Sequence, residues 1–219
     1  MKAKRILPII VLITSVLGFW PEAAKATLIT IEIEAVVDYV ADPGSCLEGN
    51  VKPGDTIVGA YTYNSQTADS DPSIYIGMYE HYAAPCGVRL TLRGFVFQTD
   101  PDNVNFLVSV GNAGGPYSTD NYLIRSYNNL ILSNGVMVEH ISWQLDDPMG
   151  EALASDALPS TPPVLTDWQS NLLHIHGLRD SFHIFAEVTS VIPEPTTLVL
   201  LSLGGLVLVV GKRKKRIER

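Results

Sequence analysis

The sequence predicts an all-β domain, an antiparallel β-sandwich, flanked by an N-terminal signal peptide and a single C-terminal transmembrane helix. Three observations lead there. Apolar and polar residues alternate with period two through most of residues 27–192, turn formers punctuate these runs, and no long helical pattern interrupts them. Each short amphipathic strand has one face to bury, and two facing antiparallel sheets are a common way to cover it.

The elements follow in order. Ile29, Ile31, Ile33, Ala35, Val37 and Tyr39 alternate with Thr30, Glu32, Glu34, Val36 and Asp38, which gives a long first strand one apolar and one largely acidic face. Asp42-Pro43-Gly44 ends it, and Pro53-Gly54-Asp55 turns the chain into a second strand, Thr56 to Asn64. Thr67 to Pro72 is a polar turn region. Tyr75 to Tyr82, Gly87 to Leu92 and Phe95 to Thr99 read as short strands, the last two joined tightly by Arg93-Gly94. Val104, Phe106, Val108 and Val110 mark another half-buried strand, closed by Gly111-Asn112-Ala113-Gly114-Gly115-Pro116. Asn121 to Asn128 and Val136 to Leu145 follow, around the Ser133-Asn134-Gly135 turn. Asp147 to Asp167 is a long excursion rich in proline and glycine, with a helical turn expected at Glu151 to Ala157. Leu172 to Gly177 and Phe182 to Val191 form a last hairpin around Arg179-Asp180, and the first and last strands are expected to lie near each other.

Both ends differ from this middle. Lys2, Lys4 and Arg5 precede an apolar run from Ile6 to Trp20, and Ala24-Lys25-Ala26 offers the small-x-small pattern of a signal peptidase site, with cleavage before Thr27. The other reading is an uncleaved N-terminal anchor, for which the run is short. Pro193-Glu194-Pro195 is followed by an apolar stretch from Leu198 to Val210. The chain then turns basic, with Lys212, Arg213, Lys214, Lys215, Arg216 and finally Arg219. From Thr196 to Gly211 a helix would span about 24 Å, thin for a permanent anchor but adequate with snorkelling basic flanks. The basic cluster belongs on the cytoplasmic side, which places everything before it outside the cytoplasm. Three segments result: 1–26 a signal peptide, 27–192 the exported domain, and 193–219 a C-terminal signal.

This three-part terminus resembles the PEP-CTERM sorting signal of Gram-negative bacteria that make extracellular polymeric substances. The resemblance implies that Pro193, Glu194 and Pro195 are the recognised motif, and that a membrane-embedded cysteine transpeptidase, an exosortase, processes the signal. A plain tail anchor is the competing reading. The middle region also resembles a recurrent exported domain that often precedes this signal. That likeness rests on Gly54-Asp55-x-x-x-Gly59-x-Tyr61-x-Tyr63 and on Ser142-Trp143-Gln144-Leu145-Asp146-Asp147, and it implies no biochemical activity.

The net charge of −8 hides an asymmetry. Ten of the 15 basic residues sit in the end segments, whereas all but two of the 23 acidic ones lie between Thr27 and Pro195. A surface so acidic repels nucleic acid and anionic headgroups, which excludes a nucleic-acid role and keeps an exported domain soluble. Two cysteines in an oxidising compartment commonly pair, and a Cys46–Cys86 disulfide is expected, closing a loop worth about 4 kcal/mol.

Few residues suggest chemistry. His174 and His176 flank Ile175 and share one strand face about 7 Å apart, with His183 across the hairpin and His140 on another strand. A His-x-His pair is how many Zn²⁺ and Cu²⁺ sites on sheets begin, but no sequence feature places a third ligand, and a polar solvent-facing strand has the same pattern. No metal is assigned on this ground. Asp69 with Asp71, Asp100 with Asp102, and Asp146 with Asp147 lie at turns where Ca²⁺ is compatible with oxygen-rich loops; ordinary Asp turn chemistry explains them equally well, and no cofactor is expected. Tyr61, Tyr63, Tyr75, Tyr79 and Tyr82 could line a sugar-binding face or pack the domain. No Gly-x-Ser-x-Gly elbow, phosphate-binding glycine loop or opposed carboxylate pair is readable, so no catalytic residue is assigned. The expected role is that of a structural or adhesive envelope or matrix protein. Its alternative is a carbohydrate-binding module acting on exopolysaccharide. The partners expected are signal peptidase, an exosortase and the membrane.

Overall fold

The computed structural model describes residues 28–114 and 118–193. The strands are β1 (Leu28–Ala41), β2 (Thr56–Asn64), β3 (Ile76–His81), β4 (Gly87–Leu92), β5 (Phe95–Gln98), β6 (Phe106–Gly111), β7 (Asp120–Ser126), β8 (Val138–Asp147), β9 (Ser170–Gly177) and β10 (His183–Pro193). The signal peptide with Ala24, Ala26 and Thr27 lies outside the described residues, as do Gly115, Pro116, Glu194, Pro195 and the basic tail. No helix among the described residues is long and apolar enough to cross a membrane. The transmembrane segment expected from Leu198 to Val210 also falls outside them.

All ten strands join one antiparallel sheet, in the order β3-β6-β7-β8-β9-β10-β1-β2-β4-β5. The expected two-sheet sandwich is thereby corrected to a single sheet curled into a half-barrel. Tyr61 on β2 packs edge-on against Trp143 on β8 with ring centroids 5.9 Å apart. Those strands are four positions apart in the sheet, which at ~4.8 Å per strand would separate them by about 19 Å if it were flat. Curling closes that gap. Alternation could not distinguish the two architectures, because each strand buries one face in either of them.

The concave face holds the core. Ile31, Ile33, Ala35 and Val37 of β1, Leu90 and Leu92 of β4, Ile141, Trp143 and Leu145 of β8, and Ile184, Ala186 and Val188 of β10 are all buried. β1 and β10 are neighbours as expected, paired from Ile31 with Pro193 to Ala41 with His183. The apolar face assigned to Tyr39 is corrected: it lies outward, 56% exposed. A register shift between Val37 and Tyr39 turns the strand over, and Tyr39 instead packs on Phe185 at 6.1 Å on the convex face. No helical turn forms at 151–157; a 3₁₀ turn occurs later, at Leu165–Asp167. In its place, Asp147 Oδ2 accepts the N–H groups of Glu151 (2.7 Å) and Ala152 (3.1 Å), so a carboxylate organises that loop.

The two segments that carry the domain resemblance meet in this core. Gly54 takes a φ of 88°, which the tight entry to β2 requires. A Cβ on Gly59 would run into the backbone of Arg89 and Leu90 on β4, so glycine permits that close strand pairing. Tyr61 and Tyr63 then point inward, and Tyr61 meets Trp143 from the second segment. Both motifs are explained by packing.

The expected Cys46–Cys86 bridge is not formed, and both thiols are free. The register pairs Gly87 with Thr62, whereas the loop holding Cys46 follows β1 beyond its pairing of Val36 with Thr56. The two cysteines therefore belong to opposite ends of β2, whose span from Thr56 to Thr62 is alone about 20 Å at ~3.3 Å per residue, where a disulfide needs Cα atoms within ~7 Å. Burial pushes the Cys86 thiol above its ordinary pKa.

Candidate functional site

Four histidines gather on the convex face of β8, β9 and β10. Strand pairing sets His176 directly opposite both His140 and His183, forming one row across three strands. The adjacent row on the same face is Ser142, His174, Phe185 and Tyr39. Ile175 and Ile184, pointing the other way, are fully buried, and they fix the outward direction of the imidazoles. Rings of His174 and Phe185 stack at 4.3 Å, and those of His176 and His183 at 4.4 Å.

Asp180 completes the arrangement. Arg179 and Asp180 at the hairpin tip have φ of 56° and 57°, and this left-handed pair folds the tip back over the strands. Asp180 Oδ1 lies 2.9 Å from His176 Nε2 and 3.4 Å from His183 Nε2. Behind these, His183 Nδ1 is 3.2 Å from His174 Nε2, and His176 Nδ1 is 3.4 Å from His140 Nδ1. Glu139 Oε2 stands 3.9 Å from His176 Nδ1. Burial, followed by the neighbouring imidazoles, lowers the pKa of His174 to about 4. The same two causes lower that of His140. Among the described residues, His176, Asp180 and His183 form a group whose three ligand atoms all lie within 4.8 Å of one another.

The sequence thus located the pair His174 and His176 on one face. The structure places His174 behind the cluster and His183 in front, with Asp180 Oδ1 beside the Nε2 atoms of His176 and His183. The spacing His176-x-x-x-Asp180-x-x-His183 was the available signal, hidden because Arg179-Asp180 read as an ordinary turn.

The other candidates resolve into structural roles. Tyr61, Tyr63 and Tyr79 are buried, with hydroxyls bonded to Tyr122 Oη (3.2 Å), the Pro159 carbonyl (2.7 Å) and the Asp156 carbonyl (2.9 Å). Burial raises the pKa of Tyr63 to about 12. Tyr82 alone of these five tyrosines is well exposed, so the five do not line a common face. Asp69 Oδ1 accepts the Asp71 and Met78 N–H groups, and Asp100 Oδ1 accepts that of Asp102, so these acids close their own turns. Asp146 is bonded by Asn121 and Gln144.

Asp55 anchors the second turn. Its Oδ1 accepts from Arg93 Nε at 2.7 Å and from Nη2 of the same guanidinium, and its Oδ2 accepts the Lys52 N–H at 2.8 Å. Arg93 holds the Asp55 carboxyl below its ordinary value of 3.8. Backbone N–H groups, that of Glu151 foremost, do the same for Asp147. A depressed folded-state pKa contributes stability that is fully present above the unfolded value and is lost as pH falls through the folded one. Urea unfolding of the wild type should therefore show a steep loss of stability below pH about 4, and Asp55→Asn should flatten that limb while leaving the curve's shape above it unchanged.

At the C-terminus, β10 ends at Pro193, whose backbone lies opposite Ile31 of β1. No separate linker intervenes between the sheet and the Pro-Glu-Pro segment. No curated protein and no solved structure matches the chain. The family described as the PEP-CTERM protein-sorting motif matches residues 191–215, which take in Pro193, Glu194, Pro195, the apolar stretch and the basic cluster as far as Lys215. That motif implies an exported, membrane-anchored precursor and processing by an exosortase-type enzyme. The chain carries, at its C-terminus, a PEP-CTERM protein-sorting motif.

Proposed function

We propose that this protein is an exported structural or adhesive component of the cell envelope or extracellular matrix, without catalytic activity of its own. Signal peptidase cuts before Thr27, the C-terminal apolar segment holds the precursor in the membrane with Lys212 to Arg216 in the cytoplasm, and an exosortase then releases the domain from its tail. The observation that carries this reading is the matched motif at 191–215, which begins inside the last strand of the sheet. A processing enzyme acting beside Pro193 would hand on the whole half-barrel with almost no spacer. The acidic middle of the chain supports export as a soluble domain.

The carbohydrate-binding alternative is not adopted, because Tyr61, Tyr63 and Tyr79 are committed to the core. The test is genetic. Cells lacking the protein should attach to surfaces less well and hold their polymer matrix less firmly. The full chain should restore attachment, and a chain ending at Ile192 should not. Unchanged attachment and matrix cohesion in the deletion strain would reject the structural or adhesive role.

A further inference from the structure

We propose that the convex face of the β9–β10 hairpin binds one divalent transition-metal cation of the zinc class, through His176 Nε2, Asp180 Oδ1 and His183 Nε2. Three independent features point there. The first is distance. Tetrahedral zinc with bonds of ~2.0–2.1 Å sets its ligand atoms ~3.3 Å apart, and Asp180 Oδ1 already lies 2.9 Å and 3.4 Å from the two imidazole nitrogens. All three donor atoms lie within 4.8 Å of one another, so a bound ion would open the 2.9 Å pair slightly and draw the widest pair together.

The second feature is the tautomer. A ligating Nε2 must offer its lone pair, so the ring's proton has to sit on Nδ1 and find an acceptor. His183 Nδ1 faces His174 Nε2 at 3.2 Å. His176 Nδ1 faces His140 Nδ1 at 3.4 Å, with Glu139 Oε2 at 3.9 Å. Both metal-facing rings thus have a partner on the far side, which a row of merely solvent-facing histidines would not require. The third is rigidity. His176 and His183 are cross-strand neighbours whose backbones are held by the sheet, and their side chains are only 14% and 25% exposed. Little ordering remains to be done on binding.

The donor set selects the ion. Two imidazole nitrogens and one carboxylate suit zinc and its neighbours and do not suit calcium or magnesium, which take oxygen. Asp180 is 77% exposed at the tip, so the fourth position faces outward, open to water or to a donor from another molecule. His174 and His140 are positioning residues, each acting through the ligand it backs. This proposal stands apart from the sorting reading and can fail without it.

The test is calorimetric titration of the full chain, purified in detergent and stripped of metal, with Zn²⁺ alone. One ion per chain should bind with micromolar or tighter affinity. Asp180→Asn and His183→Ala should each abolish measurable binding. His174→Ala, which leaves all three donors in place, should weaken it by about 10–100-fold, a loss that a bystander ring would not produce. Asp180→Asn keeps the shape of an exposed tip residue, and unchanged circular dichroism separates its loss of binding from loss of fold. The proposal is overturned if the wild type takes up no Zn²⁺ at about 100 µM, where even a weak site would show, or if Asp180→Asn and His183→Ala bind as the wild type does.

Discussion

Trp143→Ala is expected to lower the free energy of unfolding by about 4 kcal/mol, the range seen when a large buried aromatic is truncated. Trp143 is fully buried at the meeting of the two flanks of the curled sheet. Its ring stands edge-on to Tyr61 of β2 at 5.9 Å and to Tyr122 of β7 at 6.0 Å, and its indole N–H donates to Asn171 Oδ1 at 2.8 Å. Removing the indole opens a void that neither flank can fill without uncurling, and it leaves Asn171 Oδ1 with only the longer bond from the Val188 N–H at 3.4 Å. Domains of this kind hold only about 5–15 kcal/mol in total, so the variant forfeits a large share. Urea denaturation should show a lower midpoint at an unchanged slope. Tyr82→Ala, at a ring 65% exposed, should stay within about 0.5 kcal/mol of the wild type. A Trp143→Ala midpoint close to that of Tyr82→Ala would mean that the two flanks do not pack as described.

The second large effect concerns processing. Replacing Pro193, Glu194 and Pro195 together by alanine should leave the precursor intact, with its basic tail, in the membrane fraction, and the processed form should fall below detection. The sheet itself should survive. Pro193 is the last residue of β10, its side chain is exposed, and the pairing of β10 with β1 runs on through nine further residue pairs toward Ala41. Equal urea midpoints for the variant and the wild type would show that recognition, and not folding, was lost. Normal processing of the variant would show that Pro193, Glu194 and Pro195 are not what the processing enzyme recognises.

Much of the fold was legible because strand alternation is a local signal. β2 and β4 begin and end at the residues where turn formers and alternation placed them, and β1 and β10 are neighbours, as the first and last strands of sandwich domains often are. What the sequence concealed was non-local. The bulge that turns Tyr39 outward depends on the pairing with β10. The curl that replaces a sandwich depends on Tyr61 reaching Trp143 across four strand spacings. The cysteines suggested a bridge by number and compartment, but register put them at opposite ends of β2. The histidine cluster was half visible: His174 and His176 shared a face by spacing alone, whereas His140 joined them only through strand order, and Asp180 only through two left-handed residues at the tip. The sorting motif was legible throughout, since its three parts are contiguous in the chain.

Export of the domain and processing of its C-terminal signal leave a direct mark on both ends of the mature chain. The most direct test is mass spectrometry of the protein recovered from its own cells, reading both termini. A mature chain that starts at Thr27 and ends near Pro193 to Pro195, without the basic residues from Lys212 onward, is the predicted result. A chain that runs intact to Arg219 would contradict it and make the C-terminal segment a lasting anchor.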